Sequence, residues 1–212
     1  MKSLIEYINE SNNIELVSDG KERGFDYVDL GLPSGIMWAT CNVGASKPED
    51  QGLFFQFGHV DGYKHGDNNH KFTTDDQITT SGKVYKKNNI LDLDDDAAHV
   101  NMGGKWRMPT KNECSELLDN TLHKVETING VKGMILTSKI NSNQLFIPFD
   151  QGCWYDEEWE TWNYTSADLW SSQVRSSNGS SAYVLSCYSN GNAFVNNDYC
   201  STAYLVRGVF KK

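Results

Sequence analysis

Short apolar runs cut by turn residues constrain this chain most, because runs of about four to eight residues between Gly, Pro and Asn suit strands and are too short for helices. Tyr27-Val28-Asp29-Leu30 and Ile36-Met37-Trp38-Ala39 flank Pro33-Ser34-Gly35 and read as a hairpin. Residues 125–128 and 131–136 flank Asn129-Gly130, a dipeptide suited to the two positive-φ positions of a type I′ turn. Leu145-Phe146-Ile147-Pro148-Phe149 follows a Ser/Asn loop as a further strand. The composition agrees, since 12% aromatic residues with 18 Gly, 10 Tyr and 6 Trp favour strand and turn over helix. One helix is well marked: Thr110-Lys111-Asn112-Glu113 forms a capping box straight after Pro109. Cys114, Leu117, Leu118 and Leu122 then follow at helical spacing. The expected class is α+β, with many short strands, long loops and one or two helices.

The 212 residues suffice for one large domain with a sizeable core. A formal charge of −9 argues against a grip on nucleic acid phosphates or an anionic membrane, both of which need a basic face. No apolar run approaches the roughly 20 residues of a bilayer span. At the start, Leu4, Ile5 and Ile8 follow a Ser3/Glu6 capping box, and the polar stretch from Asp19 to Gly24 reads as a linker. Residues 1–24 are therefore expected to be an attachment arm, and 25–212 the domain. Glu6 and Glu10 stand where a secretory signal would be apolar, so export by a signal peptide is not expected. Residues 61–90 read as a long surface excursion. Cys41, Cys114, Cys153, Cys187 and Cys200 fit neither a disulfide framework nor a zinc pattern, and are expected as buried or idle thiols.

Five blocks occur in order: residues 27–45 (Tyr27-Val28-Asp29-Leu30-Gly31-Leu32-Pro33-Ser34-Gly35 through Trp38-Ala39 to Gly44-Ala45), Asp95-Asp96-Ala97-Ala98, Gly103-Gly104-Lys105-Trp106-Arg107-Met108-Pro109-Thr110, Leu169-Trp170-Ser171-Ser172 and Val206-Arg207-Gly208-Val209. In this order the chain resembles the C-type-lectin-fold domains of gut Bacteroidetes and their phages, including the variable proteins of diversity-generating retroelements. The resemblance covers about residues 25–210. It implies a C-type lectin fold and a ligand-binding role. The fold's relatives include a phage major tropism determinant and the formylglycine-generating enzymes, so fold alone does not choose binding over catalysis.

In such variable proteins, mutagenised template adenines scatter the first two bases of Asn codons. Ser, Tyr, Asp, Gly, Thr, Cys, Phe and Arg become reachable, and Lys, Glu, Gln, Met and Trp never do. Those five types make up about a fifth of the whole chain, yet none occurs in residues 174–210. The resemblance therefore implies a variable region at about 173–205. Within it, Ser186, Tyr188, Asn190, Asn192, Phe194, Asn196 and Asp198 share one face of an extended chain, and Cys187, Gly191, Ala193 and Val195 the other. The first face mixes Tyr with Ser and Asn as an antibody paratope does. Turns at Ser189-Asn190-Gly191 and Asn196-Asn197-Asp198 are expected to interrupt it. Arg175, Ser176, Asn178, Ser180, Tyr183, Tyr199, Ser201, Thr202 and Tyr204 complete the expected ligand-contacting set, and 205–209 reads as a closing, core-directed strand.

Other constellations have blander readings. Asp92, Asp94, Asp95 and Asp96 suggest a calcium loop but lack the Gly and distal Glu of an EF-hand, so backbone capping is expected. The calcium-dependent sugar motifs of animal lectins are absent. His65, Asp67 and His70 lie in a polar loop without a nearby fourth zinc ligand. Cys187 and Cys200 match no paired-cysteine enzyme motif, and Glu157, Glu158 and Glu160 read as a solvated acidic loop. Trp154, Trp159 and Trp162 are expected to pack, while Tyr155 and Tyr164 stay open between packing and the rim of a binding surface.

The expectation is a non-enzymatic receptor-binding protein of a phage, with no cofactor and no metal. Its partner is a bacterial surface protein or glycan, not nucleic acid or a membrane interior, and several copies on a virion would add avidity. The alternatives are a fixed-role Bacteroidetes adhesin domain and an enzyme of the formylglycine-generating type.

Overall fold

The computed structural model describes residues 16–67, 89–155, 158–161, 164–175 and 180–212. The expected helix of the arm, most of the surface excursion with His70, and Glu157, Trp162, Ser176 and Asn178 lie outside the described residues.

Three sheets and two helices make up the regular structure among the described residues. The first sheet runs β1 (Gly20–Glu22), β2 (Phe25–Val28), β3 (Ile36–Asn42) and β14 (Arg207–Lys211), which brings the end of the chain beside its beginning. The expected hairpin is the β2–β3 pair, with Tyr27 opposite Ala39 and Val28 opposite Trp38. The stretch read as a linker differs: Gly20–Glu22 is β1, paired to β2 across Arg23 and Gly24, both at positive φ. The backbone makes a type I′ turn there without the Asn-Gly signature, and the indole of Trp106 ties β1 down by donating to the Glu22 carbonyl at 2.9 Å.

The second sheet is a meander of β5 (Thr121–Ile128), β6 (Val131–Ser138) and β7 (Gln144–Pro148), with Asn129 and Gly130 at the β5–β6 turn as their chemistry predicts. The third has the order β12 (Ala193–Tyr199), β11 (Ser181–Tyr188), β10 (Ser166–Val174), β13 (Ala203–Leu205), β8 (Gly152–Tyr155), β9 (Glu158–Thr161), with β4 (Phe54–Gln56) also paired to β13. Every residue of β13 is buried.

The helix α1 (Ala97–Met102) is capped by Asp96, whose carboxylate accepts from the His99 amide and, with both oxygens, from the Met108 amide. The helix α2 (Lys111–Asp119) has the expected capping box, and Glu113 of that box also pairs with Arg107 at 2.6 Å. Leu122 does not continue its apolar stripe. The helix closes at Asn120, Leu122 falls in β5, and its side chain is 62% exposed.

The two larger cores lie one on each face of the third sheet, and Ile128, Ile135 and Phe146 form a third, small cluster. Trp170, Val184 and Tyr204 join Trp106, Phe55 and Phe57 on one side. Leu169, Leu185 and Cys187 join Trp38, Leu117 and Leu136 on the other. The five sequence blocks converge in this frame. Arg207 donates to Asn42 and to the Ala39 and Thr40 carbonyls, Arg107 and Val209 exchange backbone bonds, and the Ser172 amide donates to the Pro109 carbonyl. No helix among the described residues is long and apolar enough to cross a membrane.

Candidate ligand-binding surface

The hairpin of β11 and β12 carries the stretch that lacks the five residue types, and its register decides which side chains reach solvent. Ser186 pairs with Phe194, Val184 with Asn196 and Ala182 with Asp198, so even-numbered residues of both strands share a face. The three-residue turn 189–191 preserves this parity, since the Tyr188 amide donates to the Asn192 carbonyl across it. The expected turn at Asn196-Asn197-Asp198 does not form. These residues pair continuously with Val184, Tyr183 and Ala182, and cross-strand pairing overrides their turn propensity. The odd face carries Leu185, Cys187, Ala193 and Val195 against Cys114, Leu117 and Leu118 of α2 and packs along the hairpin, whereas the even face packs only at its inner residues, Ala182 and Val184.

On the even face, Ser186, Tyr188, Asn196, Asp198 and Tyr204 line one cleft of about 400 Å³. Phe194 stands beside it, 50% exposed, with its ring 6.1 Å from that of Tyr188. Asn190 and Asn192 are exposed at the hairpin tip. At the opposite end Arg175 is exposed and donates to the Asn197 side chain at 2.9 Å, and Ser180 and Ser201 are half-buried.

Three positions lie away from this face. Tyr183 is on the odd face, with the Lys111 ammonium 4.5 Å above its ring. Tyr199 is also odd, although 50% exposed. Thr202 corrects the expected set more firmly: at 1% exposure it offers no contact surface, because the chain there dives into the buried strand β13. Ser186 and Tyr204 are buried too, and contribute to the floor of the cleft.

Asp168 of β10 completes the floor, and sequence reading missed it. The alternation Ser166, Asp168, Trp170 against Ala167 and Leu169 was the available signal. Asp168 faces Ser186 across the β10–β11 pair, and the Ser186 hydroxyl donates to its Oδ1 at 2.5 Å. Asp198 accepts from the Tyr204 hydroxyl at 2.6 Å. Burial pushes the Asp168 carboxyl up to about 6; the Ser186 hydrogen bond opposes the shift and the charge of Asp198 adds to it. Burial, then the charges of Asp168 and Asp198, push the Tyr204 phenol up as well.

Asp168 therefore holds its proton more tightly in the fold than in the unfolded chain. Folding takes up a proton between about pH 4 and 6, and the native state loses roughly 2–3 kcal/mol through this group as pH rises across that window. Asp168→Asn removes the titration. Urea unfolding should find the variant's stability relative to the parent improved by roughly 2 kcal/mol at pH 7.5 compared with pH 4. A difference that does not change with pH refutes this account of the site.

The other constellations resolve into structural parts. Asp96 caps α1 and holds Met108, as expected for that block. Among the described residues no group of three or more His, Cys, Asp or Glu side chains is placed to hold a metal ion. His65 contacts the Glu160 carbonyl and packs on Trp159, which itself packs on Phe54. Tyr164 is 42% exposed. The five cysteines form no disulfide with one another, four of them are buried, and burial pushes the Cys187 thiol up, opposite to the activation of a nucleophile.

Comparison of the chain with protein families, with curated proteins and with solved structures finds no match in any of the three.

Proposed function

We propose that this chain is a ligand-binding protein of C-type lectin fold whose β11–β12 hairpin displays a surface diversified by a retroelement, serving as a receptor-binding component of a phage virion. One observation carries the reading: the stretch free of Lys, Glu, Gln, Met and Trp supplies an edge hairpin whose outward positions, Asn190, Asn192, Phe194 and Asn196, are exposed. In the flanking blocks, the side chains of Trp38, Trp106, Trp170 and Arg207 are fully buried. A chain that must change its contacts and keep its fold needs this division. The partner is a bacterial surface protein or glycan, met through Tyr, Asn and Ser side chains that adapt easily, and copies on one virion raise weak single contacts by avidity.

Sequencing the 3′ end of the gene across a population tests the reading. Substitutions should concentrate at adenine-derived codons for the exposed hairpin positions while the Trp170 and Arg207 codons stay fixed. Variation spread evenly along the gene would instead favour a fixed-role adhesin domain. The same division has a physical counterpart. Joint replacement of Asn190, Asn192, Phe194 and Asn196 by Ser, Tyr, Asp or Thr should move stability by only about 0.5 kcal/mol per site, measured by urea unfolding. Loss of the cooperative unfolding transition in most such variants would mean that the hairpin tip is structural.

A further inference from the structure

The cleft beneath the hairpin is lined by two carboxylates and, among the described residues, by no cation. Asp168 is 8% exposed and Asp198 half-buried, and neither takes part in an ion pair among the described residues. Arg175, the cation closest in sequence, is turned to Asn197. Asp198 has both oxygens engaged, Oδ1 by the Tyr199 amide and Oδ2 by Tyr204. Asp168 does not: Ser186 reaches its Oδ1, while its Oδ2 receives no hydrogen bond from the described residues. Its side chain lines the cleft, so a carboxylate that is nine-tenths buried presents an unpartnered oxygen to an open space of about 400 Å³.

A buried carboxylate without a cation carries a desolvation cost that an arriving positive charge offsets. Calcium takes six to eight oxygen ligands, and among the described residues no third His, Cys, Asp or Glu is placed to join the two carboxylates around an ion. The space also matches the lower end of the range for organic ligands, roughly 300–1,000 Å³, rather than that of a bare ion. Tyr188 and Tyr204 add aromatic rings to the lining, which suits a flat cation with an apolar stem.

We infer that the cleft of Asp168, Asp198, Tyr188 and Tyr204 is a receptor for an arginine side chain presented by a protein partner. Guanidinium can bridge the free oxygen of Asp168 and the Asp198 carboxylate while its plane lies against a tyrosine, which a compact ammonium does less well. The exposed positions 190–196 then read the surroundings of that arginine. The inference deepens the binding reading, and rests on it for the claim that this face meets a partner.

The test uses the whole chain, isotopically labelled, titrated with N-acetyl-arginine methylamide and, separately, with the citrulline, lysine and glucosamine counterparts. The arginine probe should shift the amide resonances of Asp168, Ser186, Tyr188 and Asp198. Citrulline, equal in shape and uncharged, should bind at least tenfold more weakly, and so should Asp168→Asn with the arginine probe. Asp198→Asn, at a half-exposed position, provides a second variant with the same expected loss. Equal binding of citrulline, preference for lysine or glucosamine, or shifts outside the cleft each overturn the arginine assignment. Codon variation at the hairpin would survive any of those results, so failure here is distinguishable from failure of the diversified-binder reading.

Discussion

Arg207→Ala should cost about 3–5 kcal/mol, a large share of the usual 5–15 kcal/mol total stability of a domain. Arg207 is fully buried and faces no carboxylate in an ion pair among the described residues. Its charge is balanced by acceptors: Asn42 Oδ1 at 2.7 Å and the carbonyls of Ala39 at 3.0 Å, Thr40 at 2.8 Å and Phe146 at 3.2 Å. Burial lowers its pKa to about 10, which still leaves the guanidinium charged at neutral pH. Alanine would remove the donors and leave these acceptors in the core together with a cavity the size of the lost side chain. Arg207→Lys separates the two contributions, because an ammonium keeps the charge but cannot aim along the diverging directions of the fork, so part of the loss should remain. Urea unfolding at neutral pH measures both, and a loss below 1 kcal/mol for the alanine variant would show that the acceptors find other donors.

What could be read in advance followed the range of the physics involved. The α2 cap depends on residues three apart, and Asn129-Gly130 on a local backbone conformation, so both were legible. The even-face alternation was legible as well, because a three-residue turn does not disturb parity. Elements decided by distant partners were not. Asn196-Asn197-Asp198 looks like a turn until β11 supplies a partner for each residue. Gly20–Glu22 is polar, and becomes a strand because Asp26 and Tyr27 lie opposite and Trp106 anchors it. Thr202 and Tyr204 have the composition of a displayed loop, yet β13 inserts between β10 and β8 and buries them. Asp168 escaped notice because its neighbours in sequence are framework, and only the pairing with Ser186 reveals the cleft it floors.

Trp170→Ala should be as damaging as the loss of Arg207, about 3–5 kcal/mol, and should abolish the cleft at the same time. Trp170 is fully buried on the even face, its indole donating to the Phe55 carbonyl at 2.8 Å. Its ring meets Phe57 at 5.5 Å and Tyr204 at 5.1 Å between centroids, both edge to face. Tyr204 in turn carries the hydroxyl that holds Asp198. Removing the indole thus creates a cavity, takes a donor from the Phe55 carbonyl and withdraws the wall behind Tyr204. Trp170→Phe should recover most of the packing but not the hydrogen bond, with a loss of about 1–3 kcal/mol. The contrast is Phe194→Ala: a comparable aromatic loss on the same face, but at a 50% exposed position, should cost less than about 1 kcal/mol. Unfolding midpoints of the three variants, with the amide resonances of Asp168 and Asp198 as a second readout, decide the matter. If Phe194→Ala proved as costly as Trp170→Ala, the even face would be a single packed unit, with no freedom for its outer half to vary while its inner half keeps the fold.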